Sequence, residues 1–359
     1  MQILSDTNKK TKLSFWEKIK HKILFWLHLT NKPTVKLYHG YGNEETVIVF
    51  GHVLKLSPLP RKHFRRNIFN NTYGLLRMFM VKPFVGATLQ LQWNDVTYTA
   101  KSQSDGFFRF EWCPSEKLLP GWHPVKVSLI QSGFSIDVVE TMGEFFVPYS
   151  YQFAFISDID DTFLISHSSN LRKRLYVLFT KNARSRKPFE GVVNHYQLLA
   201  STGASRNTFN LFFYVSSSEW NLYDYIVEFA RKNKLPKGIY LLNQIKQFKQ
   251  VFKTGQNNHK TKFMRISRIM EAYPHQKFIL LGDDSQEDPN IYAAVVEHFP
   301  QNVHAIYLRH VVKKNRERVE QTIIKIEKTG IPCCYFTHSS KAVIHSKQIS
   351  LITKLSTGS

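Results

Sequence analysis

The chain has 359 residues, with 49 Lys and Arg against 27 Asp and Glu, and its formal net charge is +22 at pH 7. A hydrophobic content of 43% excludes a wholly disordered chain, and the length suits two domains of ordinary size. Three cysteines, two of them adjacent, exclude a disulfide framework and suit a reducing compartment. The excess of positive charge predicts attraction to polyanions such as nucleic acid, anionic lipid or phosphorylated substrates.

Residues 1–33 are interpreted as a basic amphipathic segment. Ser14 and Glu17 have capping-box spacing and predict a helix that runs to about Leu29. Its apolar residues share one face, which suits a helix in a lipid interface with lysines on anionic lipid; the alternative is a face packed onto the body of the protein. No apolar run reaches the roughly 20 residues of a spanning helix, and no signal cleavage site follows. We therefore expect a cytoplasmic protein, with peripheral contact to the inner face of a membrane as an open alternative.

Residues 34–147 have the pattern of short β-strands. The runs at 46–54 and 87–93 alternate or are continuously apolar with β-branched residues, and Ser104-Asp105-Gly106 marks a turn. Several short strands at this spacing predict a small antiparallel β-sandwich domain. No catalytic grouping stands out, so the favoured interpretation is a packing or docking module.

Residues 148–345 change to short apolar runs that alternate with helix-length patterns. The predicted strands are 153–157, 210–216, 239–242, 278–281 and 305–308. The predicted helices are 192–200, 222–231, 262–272 and 291–298. Strands alternating with helices predict a parallel sheet covered by helices on both faces. Residues 346–359 are interpreted as a polar tail that frays.

Acidic residues follow two of these predicted strands. They are Asp158, Asp160 and Asp161 after the first strand, and Asp283, Asp284 and Asp288 after the fourth. The carboxyl ends of parallel strands meet at one edge of the sheet, where ligands bind. Carboxylates this close repel one another unless a cation binds, and hard oxygen ligands suit Mg²⁺. The alternative is a solvated acidic loop.

Two further positions could bind an anion near these carboxylates. Ser216 ends the strand at 210–216 and offers hydroxyl and backbone donors, and Lys260 stands near the start of a helix. Together the motifs resemble the haloacid-dehalogenase-like (HAD-like) phosphatase superfamily, and more narrowly the catalytic domain of the actin-patch-protein type of phosphatidate phosphatase. The matching strings are ISDIDDT at 156–162, YVSSS at 214–218, WNLY at 220–223, GD at 282–283 and DP at 288–289. The chain departs at Glu219, where relatives usually carry Pro, and at Asp284-Ser285, where they carry Ser-Gly.

The resemblance implies an Mg²⁺-dependent reaction with named roles. Asp158 is the nucleophile that forms an aspartyl-phosphate, and Asp160 is the general acid and then the base. Metal ligands are Asp158, the Asp160 carbonyl and Asp283, with Asp288 acting through water or another ligand. Ser216 and Lys260 bind the phosphoryl oxygens, and the hydroxyl of Thr162 holds this loop. Asp161 and Asp284 are interpreted as solvated neighbours.

The substrate prediction depends on an insertion at 163–187. It combines seven Lys and Arg with an apolar centre, which suits an anionic phospholipid whose acyl chains stay in the bilayer; the alternative is a solvated flap. The favoured function is hydrolysis of phosphatidate to diacylglycerol and phosphate. Alternatives are a phosphatase for a soluble phosphomonoester and a non-catalytic polyanion- or lipid-binding protein. Nucleic acid is not an expected partner because no reader motif occurs, and the oligomeric state stays open.

Overall fold

The structure is a computed structural model that describes residues 15–59, 73, 76–131, 139–149, 152–159, 188–202, 209–244 and 258–352. Asp160, Asp161, Thr162 and the basic insertion at 163–187 lie outside these residues. The described residues form a ten-stranded sheet followed by a six-stranded parallel sheet with helices. The predicted mixed α/β class with a parallel sheet is confirmed. The finer HAD-like arrangement, the domain boundaries and the amphipathic character of the first helix stay predictions.

The N-terminal helix, α1, spans Phe15–Trp26 and ends three residues before the predicted end. It stops there because His28 has a positive φ of 50° and Leu29 begins the first strand. Trp26 contacts Tyr73 with ring centroids 6.3 Å apart, and the Tyr73 hydroxyl donates to the Trp26 carbonyl at 3.3 Å. Among the described residues, no helix is both long enough and apolar enough to cross a membrane.

The ten-stranded sheet contains ten strands within residues 29–147. They are β1 (Leu29–Thr30), β2 (Thr34–Leu37), β3 (Gly40–Gly42), β4 (Val47–Pro58), β5 (Lys82–Pro83), β6 (Thr88–Trp93), β7 (Val96–Lys101), β8 (Phe107–Trp112), β9 (Gly121–Gln131) and β10 (Val139–Val147). Its pairs are antiparallel except for β3 with β10. The predicted strands therefore occur, but they form one sheet that includes a parallel pair. The sheet is continuous because the long β4 pairs with β2, β3, β5 and β8.

Strand β4 is buried on both of its faces. Successive side chains of a strand point to opposite sides of the sheet. Val47, Val49 and Val53 contribute to a core enclosed by the ten-stranded sheet. Phe50 and Leu54 contribute to a second core that also contains the parallel sheet. The run is therefore continuously apolar because it faces two cores at once.

The second part of the chain alternates strands and helices. The strands are β11 (Phe153–Asp158), β12 (Leu211–Glu219), β13 (Gly238–Asn243), β14 (Lys277–Asp283), β15 (Val303–Arg309) and β16 (Cys333–Phe336). The helices are α2 (Val192–Ser201), α3 (Tyr223–Lys232), α4 (Asn258–Ala272), α5 (Asp288–His298), α6 (Arg316–Glu327) and α7 (Ser339–Gln348). All neighbouring strands are parallel, in the order β13-β12-β11-β14-β15-β16. Strand order reverses at β11, which is where such sheets bind ligands.

Residues 346–352 of the predicted polar tail at 346–359 belong to the part of the chain that the structure describes. Helix α7 continues to Gln348, and Ser346, Leu351 and Ile352 are buried. The Ser346 hydroxyl lies 2.7 Å from the Tyr307 hydroxyl and 3.0 Å from Nε2 of His195. Two apolar side chains beyond the helix, Leu351 and Ile352, thus pack back onto the core, while the domain boundary at 345 stays a prediction.

The two sheets share a packed aromatic junction. Tyr38 stacks on Trp220 with ring centroids 4.1 Å apart and an interplanar angle of 12°. The Tyr273 hydroxyl donates to the Gly42 carbonyl at 3.0 Å, and the Asn221 side chain donates to the Met78 carbonyl at 3.0 Å. Because Trp220 follows the end of the strand that carries Ser216, this junction supports one side of the candidate site.

Candidate active site

Three carboxylates meet at the carboxyl ends of β11 and β14. Asp158 is the last residue of β11, Asp283 is the last residue of β14, and Asp288 begins α5. Each has an oxygen within 4.8 Å of an oxygen of the other two, and they are 1%, 0% and 1% exposed. This grouping confirms that the acidic motifs are brought together, and burial excludes the alternative of a solvated loop for these three residues.

Gly282 allows Asp288 to approach β14. A Cβ atom at this position would lie 2.6 Å from Oδ2 of Asp288 and 2.8 Å from the Tyr292 ring. The Tyr292 hydroxyl donates to the Leu281 carbonyl at 2.9 Å, and the amide of Asp283 donates to Oδ2 of Asp288 at 3.4 Å. Packing therefore explains the glycine before Asp283, because a side chain at position 282 would displace the Asp288 carboxylate.

The cation at the site is Lys262 of helix α4. Its Nζ donates to Oδ1 of Asp158 at 2.6 Å and also to Oδ1 of Asp288. Lys262 is 5% exposed, so burial lowers its pKa, but the two carboxylates outweigh burial and hold the pKa above its ordinary value. Lys262 is therefore an ammonium at neutral pH.

The motif order predicts Lys260, and not Lys262, as the phosphate-binding cation. The side chain of Lys260 lies outside the described residues, so its role stays a prediction. A signal for Lys262 is present in the pattern, because Lys262, Ile266, Ile269 and Tyr273 have the spacing of one helix face and are all buried. A lysine in line with that apolar stripe faces the core, and position 260 is not in line with it.

Ser216 stands at the same edge of the sheet, on β12. Asp158 pairs with Val215 in the β11–β12 register, so Ser216 comes one residue further. Its hydroxyl accepts from the Ser218 amide at 2.9 Å, and its carbonyl accepts from Nη1 of Arg265 at 3.0 Å. Arg265 was also missed by the sequence analysis, and it ties the strand end to α4. The strand continues with a register shift between Val215 and Glu219.

The remaining predicted site residues divide into two groups. Asp160 and Thr162 lie outside the described residues, so their roles stay predictions. Asp284 is fully buried, and the interpretation of it as a solvated neighbour is wrong. Its carboxylate accepts from the amides of Val311 and Val312 at 2.7 and 2.9 Å.

The fold and site define a parallel α/β domain with a buried acidic centre and a lysine at its strand ends. Residues 153–310 match the protein family described as phosphatidate phosphatase APP1, catalytic domain. The match confirms, for this segment, the resemblance to that family that the motifs indicated.

Individual relatives are similar over part of their length. The phosphatidate phosphatase APP1 of Saccharomyces cerevisiae is 29% identical over 160 residues, which are 44% of this chain and 26% of the relative. An uncharacterized Schizosaccharomyces pombe protein is 22% identical over 191 residues, which are 52% of this chain and 30% of that protein. The matched regions thus span less than a third of the length of these relatives. The solved structure of a carbohydrate acetylesterase from Xanthomonas citri is similar over 89% of this chain and 74% of that protein. Its TM-score of 0.35 and identity of 8% are too low to support a comparison of fold or function.

Proposed function

We propose that this chain is an Mg²⁺-dependent phosphatase that hydrolyses the phosphomonoester of phosphatidate to diacylglycerol and phosphate. The observation that carries the proposal is the buried Asp158, held by Lys262 in the acidic centre of a segment that matches a phosphatase catalytic domain. The HAD-like arrangement is part of the proposal. It is supported by the parallel strand order and by the acidic motifs at the ends of β11 and β14.

The acidic centre fits a divalent cation by the chemistry of its donors. Asp158, Asp283 and Asp288 supply three buried carboxylates, whereas Lys262 supplies one ammonium to two of them. Carboxylates this close to one another repel, and burial makes that repulsion costly. All donors are hard oxygens, which suits Mg²⁺. When bound, the ion would neutralise charge on the phosphate and on the attacking carboxylate.

Asp158 is proposed as the nucleophile, and Asp160 as the proton carrier. A carboxylate oxygen of Asp158 forms a bond to phosphorus while the bond from phosphorus to the diacylglycerol oxygen breaks. The leaving oxygen takes a proton from Asp160. Water then attacks the phosphorus of the aspartyl-phosphate and gives its proton to Asp160, which releases phosphate and restores Asp158.

Binding of the phosphoryl oxygens is proposed for Ser216 and Lys262. Both lie at the carboxyl edge of the sheet beside Asp158, and a buried ammonium stabilises charge that develops on phosphoryl oxygens. Lys260 and Thr162 remain candidates for the same task from the motif order. Lys262 is preferred for the cation because its contact with Asp158 is direct.

A membrane surface is the proposed location of the substrate. Helix α1 exposes Trp16, Phe25 and Trp26 by 75%, 81% and 74%, and Lys20 and Lys22 are exposed on the same helix. Aromatic side chains at headgroup depth and lysines on anionic lipid suit peripheral binding, as does the net charge of +22. The cytoplasmic location and contact with an inner membrane face belong to this proposal.

The test is phosphate release from phosphatidate in mixed micelles with and without Mg²⁺. The wild type is compared with Asp158→Asn and Asp283→Asn, and with Asp224→Asn as a control at an exposed carboxylate. We expect Mg²⁺-dependent release in the wild type and the control, and loss of release in both site variants. Turnover of a soluble phosphomonoester without turnover of phosphatidate would favour a soluble substrate. No turnover of either would favour a non-catalytic polyanion-binding protein.

A further inference from the structure

Asp284 is another buried carboxylate next to Asp283, and the partners of its two oxygens lie outside the acidic triad. Oδ1 accepts the amides of Val311 and Val312. Oδ2 lies 2.6 Å from Nδ1 of His310 and accepts the Tyr335 hydroxyl at 2.6 Å. Three donors and the adjacent histidine ring account for the burial of this carboxylate without a metal ion. Asp284 therefore differs from Asp283, because its carboxylate bonds to donors of the protein whereas that of Asp283 lies in the acidic triad.

The main chain of Asp284 is held as firmly as its side chain. Its amide donates to the Arg309 carbonyl at 3.1 Å, and its carbonyl accepts the side-chain amide of Asn315 at 2.5 Å. Every polar atom of the residue thus has a partner on β15, on the segment that follows β15, or on β16. These partners lie 25 to 51 residues further along the chain, so tertiary contacts anchor the end of β14 on this side.

Asp283 takes its position from this anchor. The two residues are adjacent, and Oδ1 of Asp283 accepts the Ser285 amide at 2.5 Å, so the turn after β14 is fixed on both sides of Asp284. A metal ligand must keep its oxygen within a few tenths of an ångström of the required place, and the groups that orient a ligand tune metal affinity. Loosening Asp284 would let the Asp283 carboxylate move away from Asp158 and Asp288.

We propose that Asp284, with His310 and Tyr335, is a positioning unit that holds Asp283 in place for a divalent cation. The inference rests on the proposed function, because it concerns the same acidic centre. Asp284 itself contributes no ligand, since both of its oxygens have hydrogen-bond partners outside the triad. Its effect reaches the cation through the main chain of the turn after β14.

The test measures metal binding apart from turnover. Mn²⁺ is titrated into the full-length wild type, Asp284→Asn and Asp224→Asn, and bound ion is counted by electron paramagnetic resonance. Asparagine has the size of aspartate, but an NH₂ group replaces one carboxylate oxygen and cannot accept the hydrogen bonds of the donors at that position. We expect the Mn²⁺ dissociation constant to rise about 10- to 100-fold in Asp284→Asn, and to stay unchanged in Asp224→Asn. The half-saturating Mg²⁺ concentration for phosphate release should rise by the same factor.

Tyr335→Phe is the milder variant, because it removes one donor and keeps the ring. It should weaken Mn²⁺ binding in the same direction by a smaller factor, and it keeps the test decisive if Asp284→Asn does not fold. A lower unfolding midpoint with unchanged Mn²⁺ affinity in both variants would overturn the proposal and leave a structural role. A wild type that binds no Mn²⁺ would also overturn it. A wild type that binds Mn²⁺ but releases no phosphate would defeat the proposed function, while the affinities of the variants would still decide the positioning role.

Discussion

The two sheets bury polar groups in different ways. Among the described residues, the buried polar and charged side chains of the ten-stranded part are His52, Ser57, Arg77 and Ser102, with no carboxylate among them. The edge of the parallel sheet buries Asp158, Lys262, Asp283, Asp284 and Asp288 within a short distance of one another. Buried charge is costly unless it is paired or used, so its concentration at one edge marks the candidate active site.

The ten-stranded sheet contacts the chain next to the candidate site. It has no acidic centre in its described residues, yet its Tyr38 stacks on Trp220, four residues beyond Ser216. The Phe50 ring lies 5.8 Å from that of Trp220. One sheet thus carries the candidate site, and the other supports the strand end that carries Ser216.

The largest effect is expected from the buried lysine of the site. Lys262→Met should lower kcat about 10²- to 10³-fold, because the phosphoryl group and Asp158 lose a fixed positive charge. Lys260→Met is the matched control on the same helix, and we expect a much smaller loss. The measurement is steady-state phosphate release at saturating Mg²⁺. A larger loss in Lys260→Met than in Lys262→Met would return the role to the residue chosen from the motif order.

Arg77→Met tests a buried cation that lies outside the parallel sheet. Arg77 donates to the His28 and Leu59 carbonyls and is 4% exposed, so it is a buried cation in the ten-stranded part. Its loss should lower the free energy of unfolding by about 1–3 kcal/mol, because the His28 and Leu59 carbonyls each lose one donor and the His28 carbonyl keeps the Leu59 amide. It should leave kcat unchanged. A fall in kcat with stability preserved would mean that buried charge outside the parallel sheet also serves the reaction.

The next effect concerns the aromatic junction between the sheets. Trp220→Ala should lower the free energy of unfolding by about 3–5 kcal/mol, since a buried aromatic ring is removed from a packed core. Leu119→Ala is the control at a 76% exposed side chain, and it should change stability by less than about 0.5 kcal/mol. The measurement is urea unfolding followed by tryptophan fluorescence and circular dichroism. Two separate transitions in Trp220→Ala would show that the sheets unfold independently once the junction is weakened.

A pH dependence follows from one buried histidine in each part. Burial lowers the pKa of His52 to about 4 and that of His195 to about 3. Both are therefore neutral when folded, whereas an unfolded histidine titrates near pH 6.5. Between about pH 6.5 and 4 the unfolded chain binds more protons, so each histidine lowers the free energy of unfolding by about 1.4 kcal/mol per pH unit as pH falls.

This pH dependence is checked by urea unfolding at pH 7, 6 and 5. The variants are His52→Gln and His195→Gln, which remove the titrating group and keep a polar side chain. Each variant should show a shallower loss of stability with acid than the wild type, and the double variant should be shallower still. Equal slopes in all four proteins would contradict burial as the cause.

The smallest effect is expected from the ion pair between Lys36 and Asp224. It joins β2 to α3 at 2.8 Å, but the Asp224 side chain is 64% exposed. Exposed pairs of this kind contribute about 0–1 kcal/mol and are screened by salt. A double-mutant cycle with Lys36→Met and Asp224→Asn should give a coupling energy in that range. A larger coupling that survives high salt would mean that charge holds the two sheets together as much as aromatic packing does.

Much of the fold was predictable from local patterns. The five apolar runs after residue 148 each became a parallel strand, and the predicted helices were found with ends shifted by a few residues. The elements after residue 310 were not assigned. Strand Cys333–Phe336 is short, and α6 has a narrow buried stripe of Val319, Ile323 and Ile326. These patterns are weak until the neighbouring strand and helices are in place.

The sequence by itself determined the acidic motifs and the order in which they occur, because strand periodicity and turn residues act over a few neighbours. Only the tertiary structure showed that Lys262 contacts Asp158, since the two residues are 104 positions apart in the chain. It also decided that Asp283 joins the acidic triad while Asp284 turns to His310 and Tyr335. Adjacent identical residues look the same in a sequence. Asp283 and Asp284 differ in role because their side chains meet different partners once the chain is folded.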